Sequence, residues 1–354
     1  TTCGEKFAVV EHIDEELEAL TPKPPALRIF DAGVGDGTVL SGVLRRLHDR
    51  FPNAPFLVVG KEISLEDVRL AMDKLPDRLI EHPDTVFVFT NLYYYEAPSL
   101  TCADPDKQIE RRDIVLTGAS SSAFETQIKD VFAELANLWE VAPSPKTGNP
   151  RYVTPAVVTV SRADRRFTLD QVMPREGDEL SYDLVLAVQP YRARLSAEKK
   201  IDYVLRPCAM ALAEGGLLIG VQSTGQDPGL EIVRNIWPEE APFATPGPML
   251  SRDLLAALAE KTPERRFTDA TGAKDNLFRY HMHTMPSEVD ESIGTSTLMA
   301  AWNAAVYVAQ IDDARLNEAM TTPAYLEATR ETVERQGGLW FINEKFVIKR
   351  EADR

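Results

Sequence analysis

Apolar and polar positions along the chain predict strands and helices in alternation. Residues 27–30 form a short apolar strand, after which apolar side chains recur at helical spacing from Val39 to Leu47. A second strand at 56–62 leads into a second amphipathic helix that begins at Ser64, and a third strand follows at 85–90. Strands and helices that alternate with short connections predict a doubly wound parallel sheet of the α/β class.

The second half of the chain continues this pattern. A fourth strand is predicted at 182–188, followed by a helix over 198–213 that Pro207 interrupts. A Gly-Gly pair then ends the helix and leads into a fifth strand. Further strands are predicted near the C-terminus, at 277–283, at 339–342 and, after a polar turn, at 346–349.

Two segments exceed what such a sheet needs and are interpreted as insertions, 97–181 and 286–337. The first carries an apolar helical face from Phe124 to Trp139 and a strand at 156–160, and the second is mainly helical. We expect them to form a substrate cap or a dimer contact, with peripheral decoration as the alternative. The remaining parts are an N-terminal helical leader, 1–26, which covers the core or is loosely held, and the core itself, 27–96, 182–285 and 338–354.

A glycine-rich turn follows the first strand. Asp31 ends that strand, Gly33, Gly35 and Gly37 alternate after it, and a helix pattern begins at Thr38. Glycines at this spacing let the backbone turn tightly and let a ligand approach the main chain. Such a loop is typical of nucleotide-type sites at the carboxyl edge of a parallel sheet. The dinucleotide fingerprint would place glycine or alanine at position 38, where this chain has threonine.

The run Asp-x-Gly-x-Gly-x-Gly resembles motif I of the class I S-adenosylmethionine-dependent methyltransferases. The family's second mark is an acidic residue that ends the next strand and takes both ribose hydroxyls, and here Glu62 stands at that place. The Gly-Gly turn and the final strands are also similar to those of the family. The resemblance implies a seven-stranded Rossmann-like methyltransferase sheet, S-adenosyl-L-methionine as cofactor and S-adenosyl-L-homocysteine as product.

The resemblance also implies roles for individual residues of the cofactor site. Asp31 and the three glycines would surround the methionine end, and Glu62 would hold the ribose. A short polar residue after the third strand meets the adenine amino group in this family, a role that falls to Asn91, with Leu92 beside it. In the alternative interpretation Asp31 holds the loop through backbone N–H groups, and Glu62 is a solvent-facing carboxylate.

The substrate side is expected at the ends of the third and fourth strands. Gln189-Pro190-Tyr191 occupies the position of motif IV, which is often Asn/Asp-Pro-Pro-Tyr in members that act on planar amino groups. Only Pro-Tyr is shared, too short a match to transfer the substrate class, but Gln189 and Tyr191 are predicted at the mouth of the site. Tyr93, Tyr94 and Tyr95 would overhang it as a face for a cationic or aromatic substrate, or else simply pack at the sheet edge.

Two histidines, His281 and His283, lie two apart on a predicted strand and would share a face. His281 is our candidate general base, and surface histidines are the alternative interpretation. The same run offers no acidic or cysteine partner, so no metal site is predicted.

Composition and charge narrow the partners. A net charge of −16 argues against a nucleic-acid substrate, because phosphate binding draws on clustered lysine and arginine. No apolar run approaches the ~20 residues of a membrane span. Cys3, Cys102 and Cys208 are widely separated, which favours free thiols in a reducing cytoplasm. The apolar helix of the first insertion makes a homodimer one expectation.

Three functions remain from the sequence. The first is a methyltransferase that moves a methyl group to nitrogen or oxygen of a small molecule by direct displacement, which needs positioning more than any universal catalytic residue. The second is a methyltransferase that acts on a protein or peptide. The third, from another class, is a dinucleotide-dependent oxidoreductase or a cofactor-binding protein without catalysis.

Overall fold

A computed structural model describes residues 4–145, 148–272, 276–284, 286–289 and 294–352. Twelve strands lie within these ranges, and helices flank them. The strands are β1 Leu27–Asp31, β2 Phe56–Lys61, β3 Thr85–Thr90, β4 Glu110–Leu116, β5 Val141–Pro143, β6 Pro150–Tyr152, β7 Ala156–Arg162, β8 Tyr182–Val188, β9 Leu212–Ser223, β10 Phe267–Asp269, β11 Leu277–Met282 and β12 Leu339–Arg350.

The helices occupy the connections between strands, as the sequence pattern predicts. Short 3₁₀ turns lie at Ala97–Ser99 and Ala163–Arg165, and a π-helical turn at Ile201–Leu205 joins two of the α-helices. The α-helices are α1 Glu5–Leu17, α2 Thr38–Arg50, α3 Leu65–Met72, α4 Leu75–Glu81, α5 Ser121–Asp130, α6 Phe132–Leu138, α7 Arg166–Leu169, α8 Ala197–Lys200, α9 Arg206–Met210, α10 Pro228–Ile236, α11 Gly247–Lys261, α12 Pro286–Val289, α13 Gly294–Val308, α14 Asp313–Ala319 and α15 Ala324–Gln336.

The main sheet has the strand order β10-β12-β9-β8-β1-β2-β3-β7-β4, and β11 also pairs with β12. Five neighbouring strands, β9, β8, β1, β2 and β3, are parallel, which confirms the predicted doubly wound α/β fold. At one end β12 runs antiparallel to β9. At the other end the sheet is wider than the predicted seven strands, because β7 and β4 continue it beyond β3.

The first insertion therefore belongs in part to the sheet itself. Its strands β4 and β7 extend the β3 edge, while α5, α6 and the small β5–β6 hairpin lie around that extension. The predicted single helix from Phe124 to Trp139 is divided between α5 and α6 at residues 130–132. The second insertion supplies α13 and α15, which pack on α10 around the buried Trp302, and α14, which packs against the same cluster. Whether either segment caps a substrate stays a prediction.

Two details, one in β12 and one in β9, differ from the sequence prediction. The polar run 343–345 is not a turn, because β12 passes through it without a break and pairs with β11 and β9. Those polar side chains are buried, at 0 to 6% exposed, because strands flank them on both sides. The Gly-Gly pair also lies inside β9, after a helix that already ends at Met210, and Gly215 takes a left-handed φ of 82° at an irregular register.

The core consists of a layer on each face of the sheet and a third cluster in the second insertion. Ile29 and Val58 face α1 and α2, whereas their neighbours Phe30 and Leu57 face α9 and α11. This alternation is the pattern expected of strands covered by helices on both sides. None of the helices that the structure describes is long and apolar enough to cross a membrane.

Candidate functional site

The glycine loop lies between β1 and α2 at the carboxyl edge of the sheet. Asp31 is 2% exposed, and its Oδ1 accepts a hydrogen bond from the N–H of Gly33 at 3.1 Å. Gly35 and Gly37 adopt left-handed φ values of 51° and 75°. A Cβ at Gly37 would lie 2.9 Å from Ala71, so close packing and backbone conformation both require glycine there. The loop thus has the geometry that the sequence predicts.

Glu62 lies directly after β2 and faces this loop. Its carboxylate accepts hydrogen bonds from the backbone N–H groups of Gly35 at 2.9 Å, Ile63 at 2.7 Å and Ser64 at 3.0 Å. The side chain is therefore not a solvent-facing carboxylate. It ties the end of β2 to the glycine loop, and the ribose contact stays a prediction.

Buried charges surround this part of the site. Burial raises the pKa of Asp31 to about 7, against the lowering effect of the Gly33 N–H, and the Glu62 charge raises it further. Burial also lowers the pKa of Lys61, which the Glu62 charge opposes. The Lys61 Nζ lies 4.5 Å from the centroid of the Tyr94 ring, a cation–π contact. Near neutral pH the two carboxyl groups and this ammonium thus influence one another.

The three consecutive tyrosines take separate positions. Tyr94 donates its hydroxyl to the carbonyl oxygen of Pro190, and burial raises the pKa of that hydroxyl above its usual value. Tyr93 packs on Tyr152 with ring centroids 4.8 Å apart, and Tyr95 is 55% exposed. Tyr94 therefore forms a bridge from the end of β3 to the loop after β8, which we call the Tyr94 bridge. A common tyrosine face for a substrate is limited to the stacked pair Tyr93 and Tyr95.

Asn91 connects the end of β3 to the first insertion. Its amide donates to the carbonyl oxygens of Leu138 at 3.1 Å and Thr154 at 2.9 Å, and its Oδ1 accepts from the N–H of Ala156 at 2.8 Å. Both amide hydrogens and one lone pair of the Oδ1 are thus engaged in joining β3 to the first insertion. An adenine amino group would need the Oδ1 as its acceptor, and this oxygen can accept two hydrogen bonds. Leu92 is completely buried in the core beneath it. The adenine contact predicted for Asn91, with Leu92 beside it, stays a prediction.

Gln189 and Tyr191 do lie together at the end of β8. Gln189 has a left-handed φ of 48°, and its amide donates to Glu5 Oε1 at 2.9 Å and Ser223 Oγ at 3.3 Å. The Tyr191 hydroxyl donates to Gln222 Oε1 at 3.1 Å. Both line a cavity of about 30 Å³, with Lys200, Gln222, Thr245 and Gln310 also in its wall. We call this the Lys200 cavity.

A buried polar network lies behind this cavity. The Gln222 amide donates to the Thr245 carbonyl oxygen at 2.7 Å and to Glu344 Oε1 at 2.8 Å, and the Gly247 N–H donates to the same Glu344 oxygen at 2.7 Å. Lys200 is 2% exposed and donates to Thr245 Oγ1. Burial lowers the pKa of Lys200 to about 8, which the Glu344 charge opposes.

The sequence reasoning missed these network residues. Lys200 lies in a predicted helix, where a lysine normally faces solvent, and Glu344 lies in the run mistaken for a polar turn. Only the continuity of β12 brings Glu344 beside the end of β9, where it meets Gln222. The single available signal was the position of Gln222 at the end of the predicted fifth strand, where ligands of such sheets bind.

The histidine candidates lie elsewhere. His281 is exposed on β11, where its ring centroid is 6.3 Å from that of Trp340 and its carbonyl oxygen accepts from the N–H of Gly4. It pairs with Trp340 of β12 and does not line the Lys200 cavity, so its role as a general base stays a prediction. His283 is exposed as well. In the part of the chain that the structure describes, no group of three or more His, Cys, Asp and Glu residues is arranged to hold a metal ion.

Helix α1 lies across the same edge. Besides Glu5, which holds Gln189, it carries Lys6, whose Nζ is 2.6 Å from Asp36 Oδ2 in the glycine loop. The Lys345 side chain is 3% exposed, and its Nζ donates to the His12 carbonyl oxygen at 2.8 Å and to Glu16 at 2.6 Å. The N-terminal segment is thus attached to the core at this edge.

Comparisons with known proteins give distant similarities only. No family model matches the chain, and a comparison with curated proteins found no match. Solved structures similar to it include the mycolic acid cyclopropane synthase CmaA1, 13% identical, covering 97% of this chain and 88% of that chain with a TM-score of 0.35. A geranyl diphosphate methyltransferase in complex with SAM is 11% identical, covering 96% and 85%, with a TM-score of 0.35.

A third similar structure is the rRNA methyltransferase aviRa from Streptomyces viridochromogenes, which is 13% identical, covering 60% of this chain and 72% of that chain, with a TM-score of 0.24. These similarities, with identities below 25% and TM-scores below 0.5, are too distant to support an argument about the fold or the activity of this chain.

Proposed function

We propose that this chain is an S-adenosylmethionine-dependent methyltransferase that acts on nitrogen or oxygen of a small molecule. The observation that carries the proposal is the glycine loop, fastened by Glu62 at the carboxyl edge of the sheet and adjacent to the Lys200 cavity. Ligands of open parallel sheets bind at this edge. S-adenosylmethionine, when bound, supplies a methyl group on a sulfonium for direct displacement.

The residues of the loop fit this cofactor in two respects. A Cβ at Gly35 would meet no described atom within 4 Å, so the main chain there is open to a ligand. Glu62 presents its carboxylate to the same glycine, at the position from which the family holds the ribose. The work of the protein is then to hold donor and acceptor in line and to exclude water.

The Tyr94 bridge marks a requirement of this fit. It connects the end of β3 to Pro190, and Pro190 lies close to the loop, since a Cβ at Gly33 would be 3.6 Å from the Pro190 Cα. Cofactor binding on this proposal requires the Tyr94 ring to move aside. This movement breaks one hydrogen bond, which contributes about 0.5–1.5 kcal/mol net to stability. The free energy of cofactor binding can readily offset that cost.

A small acceptor is favoured by the enclosure of the site. Helix α1 covers one side through Glu5 and Lys6, and the Lys200 cavity is only about 30 Å³ in volume. An open groove for a peptide segment would need more accessible surface at this edge. The charge of −16 makes a nucleic-acid substrate unfavourable as well. We further propose that the chain works without a metal ion, and a homodimer stays a prediction.

The same contacts support a second candidate, a non-catalytic protein that binds no cofactor. Three backbone N–H groups already engage the Glu62 carboxylate, and the Tyr94 hydroxyl is already bonded to Pro190 beside the loop. Both features would suit a chain in which the loop has become purely structural. A binding measurement separates the two candidates.

The test is calorimetric titration of the full chain with S-adenosylhomocysteine, beside NAD and NADP. We expect binding of S-adenosylhomocysteine, a loss of at least tenfold in Glu62→Ala, and little change in the matched control Glu66→Ala, an exposed carboxylate on α3. Circular dichroism would establish that each variant is folded. Absence of binding in the folded wild type would favour the second candidate, and binding of a dinucleotide would overturn both.

A further inference from the structure

We propose that the Lys200 cavity binds a carboxylate group of the methyl acceptor, with the Lys200 ammonium as its counter-ion. This inference rests on the proposed function only in calling the ligand the methyl acceptor. The anion site itself follows from the buried cation and its surroundings. The acceptor class would then be small amino or hydroxy acids, whose nitrogen or oxygen receives the methyl group.

The Lys200 side chain is an incompletely partnered buried charge. It is 2% exposed, and among the described residues its Nζ has one hydrogen-bond acceptor, Thr245 Oγ1, although an ammonium has three hydrogens to donate. Among the described residues it forms no ion pair, and its Nζ lies 4.8 Å from the centroid of the Tyr191 ring. Buried charges are normally paired, because an unpaired one costs several kcal/mol.

The groups around Lys200 leave room for one negative charge. Glu344 on β12 acts on it from a distance, but this carboxylate is held by the Gln222 amide and the Gly247 N–H. Tyr191 after β8 and Cys208 on α9 face the same region, and burial raises the pKa of both, so they stay neutral at pH 7. A ligand carboxylate would therefore supply the counter-ion that the protein does not place in contact.

The cavity also has the size and donors for a carboxylate. One water needs about 10–15 Å³ of such space. A cavity of about 30 Å³ therefore accommodates a small group such as a carboxylate, and it holds one end of a ligand and not a whole one. Besides Lys200, the Thr245 hydroxyl and the Gln310 amide line it as further donors. One cation with neutral donors suits a monoanion better than a phosphate dianion.

The cavity is placed correctly for an acceptor. Pro190 separates it from the glycine loop: its neighbours Gln189 and Tyr191 line the cavity, while a Cβ at Gly33 would lie 3.6 Å from its Cα. A molecule held at Lys200 by its carboxylate can extend past Pro190 towards the loop where the donor is proposed. This arrangement would give orientation, which direct displacement requires.

The experiment uses the full chain and propionate as the probe, with neutral propionamide and inorganic phosphate beside it. Binding is followed through the lysine ε-carbon signals in ¹H–¹³C NMR, in which the Lys200 signal is assigned from Lys200→Met. We expect propionate to raise the Lys200 pKa from about 8, and its affinity to fall about tenfold between pH 7 and pH 9 as free Lys200 loses its proton. Propionamide should not compete.

Matched variants and a separate donor titration distinguish the outcomes. Lys200→Met should weaken propionate binding at least tenfold, whereas Lys199→Met, the exposed neighbour on the same helix, should leave it unchanged. Preference for phosphate, equal binding to both variants, or an unchanged Lys200 signal would each overturn the inference. If propionate binds at Lys200 but S-adenosylhomocysteine does not bind at all, the anion site is supported and the proposed methyltransferase is overturned.

Discussion

Single buried ionisable groups determine the electrostatics of this site. Asp31 and Lys200 are both 2% exposed, and burial moves the pKa of each towards neutral pH from opposite directions. Such groups destabilise the fold in their charged forms, which proteins commonly tolerate where function needs them. The cost should be measurable by replacing each with a neutral isostere.

For Asp31 we expect Asp31→Asn to stabilise the chain at pH 8 and to have a smaller effect at pH 5.5. Its pKa of about 7 in the folded state lies above the value of 3.8 in the unfolded chain, so folding binds a proton between these values. Wild-type stability therefore falls as pH rises from about 4 to 7, whereas the asparagine variant escapes this loss. The shift corresponds to an upper limit of about 4 kcal/mol.

Thermal denaturation of both proteins at the two pH values tests this, with Asp36→Asn as control. Burial alone would raise the pKa of Asp36, but the Lys6 ammonium and the Thr38 N–H lower it overall. Its replacement should therefore destabilise the protein at pH 8, the opposite sign. A loss of stability in Asp31→Asn at pH 8 would contradict the proposed burial cost.

For the Tyr94 bridge we expect Tyr94→Phe to strengthen S-adenosylhomocysteine binding about two- to tenfold. The variant keeps the ring but removes the hydroxyl that donates to Pro190, so opening the bridge no longer breaks a hydrogen bond of about 0.5–1.5 kcal/mol. Calorimetry would measure it, with Tyr95→Phe, an exposed neighbour, as the control. Unchanged affinity would mean that the bridge stays in place when the ligand binds.

Residue-level prediction succeeded where the backbone determines the outcome. Gly35 and Gly37 lie at left-handed φ values in the expected strand-to-helix turn, because few other residues adopt that conformation at so little cost. It did not identify the partners of Asn91, because Leu138 and Thr154 belong to the first insertion. It could not find Lys200, since nothing local distinguishes a buried lysine in a helix from a solvated one.

At the scale of elements, α1 is attached to the core by a buried ammonium. The Lys345 side chain lies on β12 and is 3% exposed. Its Nζ contacts the His12 carbonyl oxygen, Glu15 and Glu16. Close packing adds to this, since a Cβ on Gly42 of α2 would lie 2.6 Å from a Val10 methyl carbon. The helix therefore has both a polar and an apolar attachment beside the glycine loop.

We expect Lys345→Met to loosen α1 selectively. The change leaves two carboxylates and a carbonyl oxygen without the Lys345 ammonium as donor. Removing one partner of a buried ion pair destabilises the fold, because the remaining charge loses its compensation. Limited proteolysis by a glutamate-specific protease should cut α1 several-fold faster than in wild type. Lys349→Met, a lysine on the same strand that is 40% exposed and pairs with Glu351, is the control and should show wild-type cleavage.

The strands show which elements the pattern of apolar residues can predict and which it cannot. The five parallel strands were predictable from apolar runs between helical patterns, because both faces of such strands are buried. β12 was not predictable as one strand, since its polar centre, Asn343 to Lys345, is buried by contacts with α1 and β9 that depend on the complete fold. The same dependence hid the pairing of β7 with β3.

At the scale of the whole molecule, negative charges clearly outnumber positive ones. The chain carries 55 acidic and 39 basic residues, a net charge of −16, and has an isoelectric point near 4.9. Many of its surface ion pairs, such as Arg69 with Glu66 and Lys129 with Glu125, are between exposed side chains and contribute little each. Mutual repulsion among the excess carboxylates should therefore outweigh these pairs at low salt.

We accordingly expect the melting temperature at pH 8 to rise by a few degrees between about 10 mM and 300 mM NaCl. Over this range the Debye length falls from about 30 Å, comparable to the molecule, to below about 8 Å, so long-range repulsion is screened. At pH 5.5, close to the isoelectric point, the rise should shrink, whereas a general salt effect on apolar burial would persist. A similar slope at both pH values, or a falling melting temperature at pH 8, would show that local ion pairs and not net charge govern the stability of this fold.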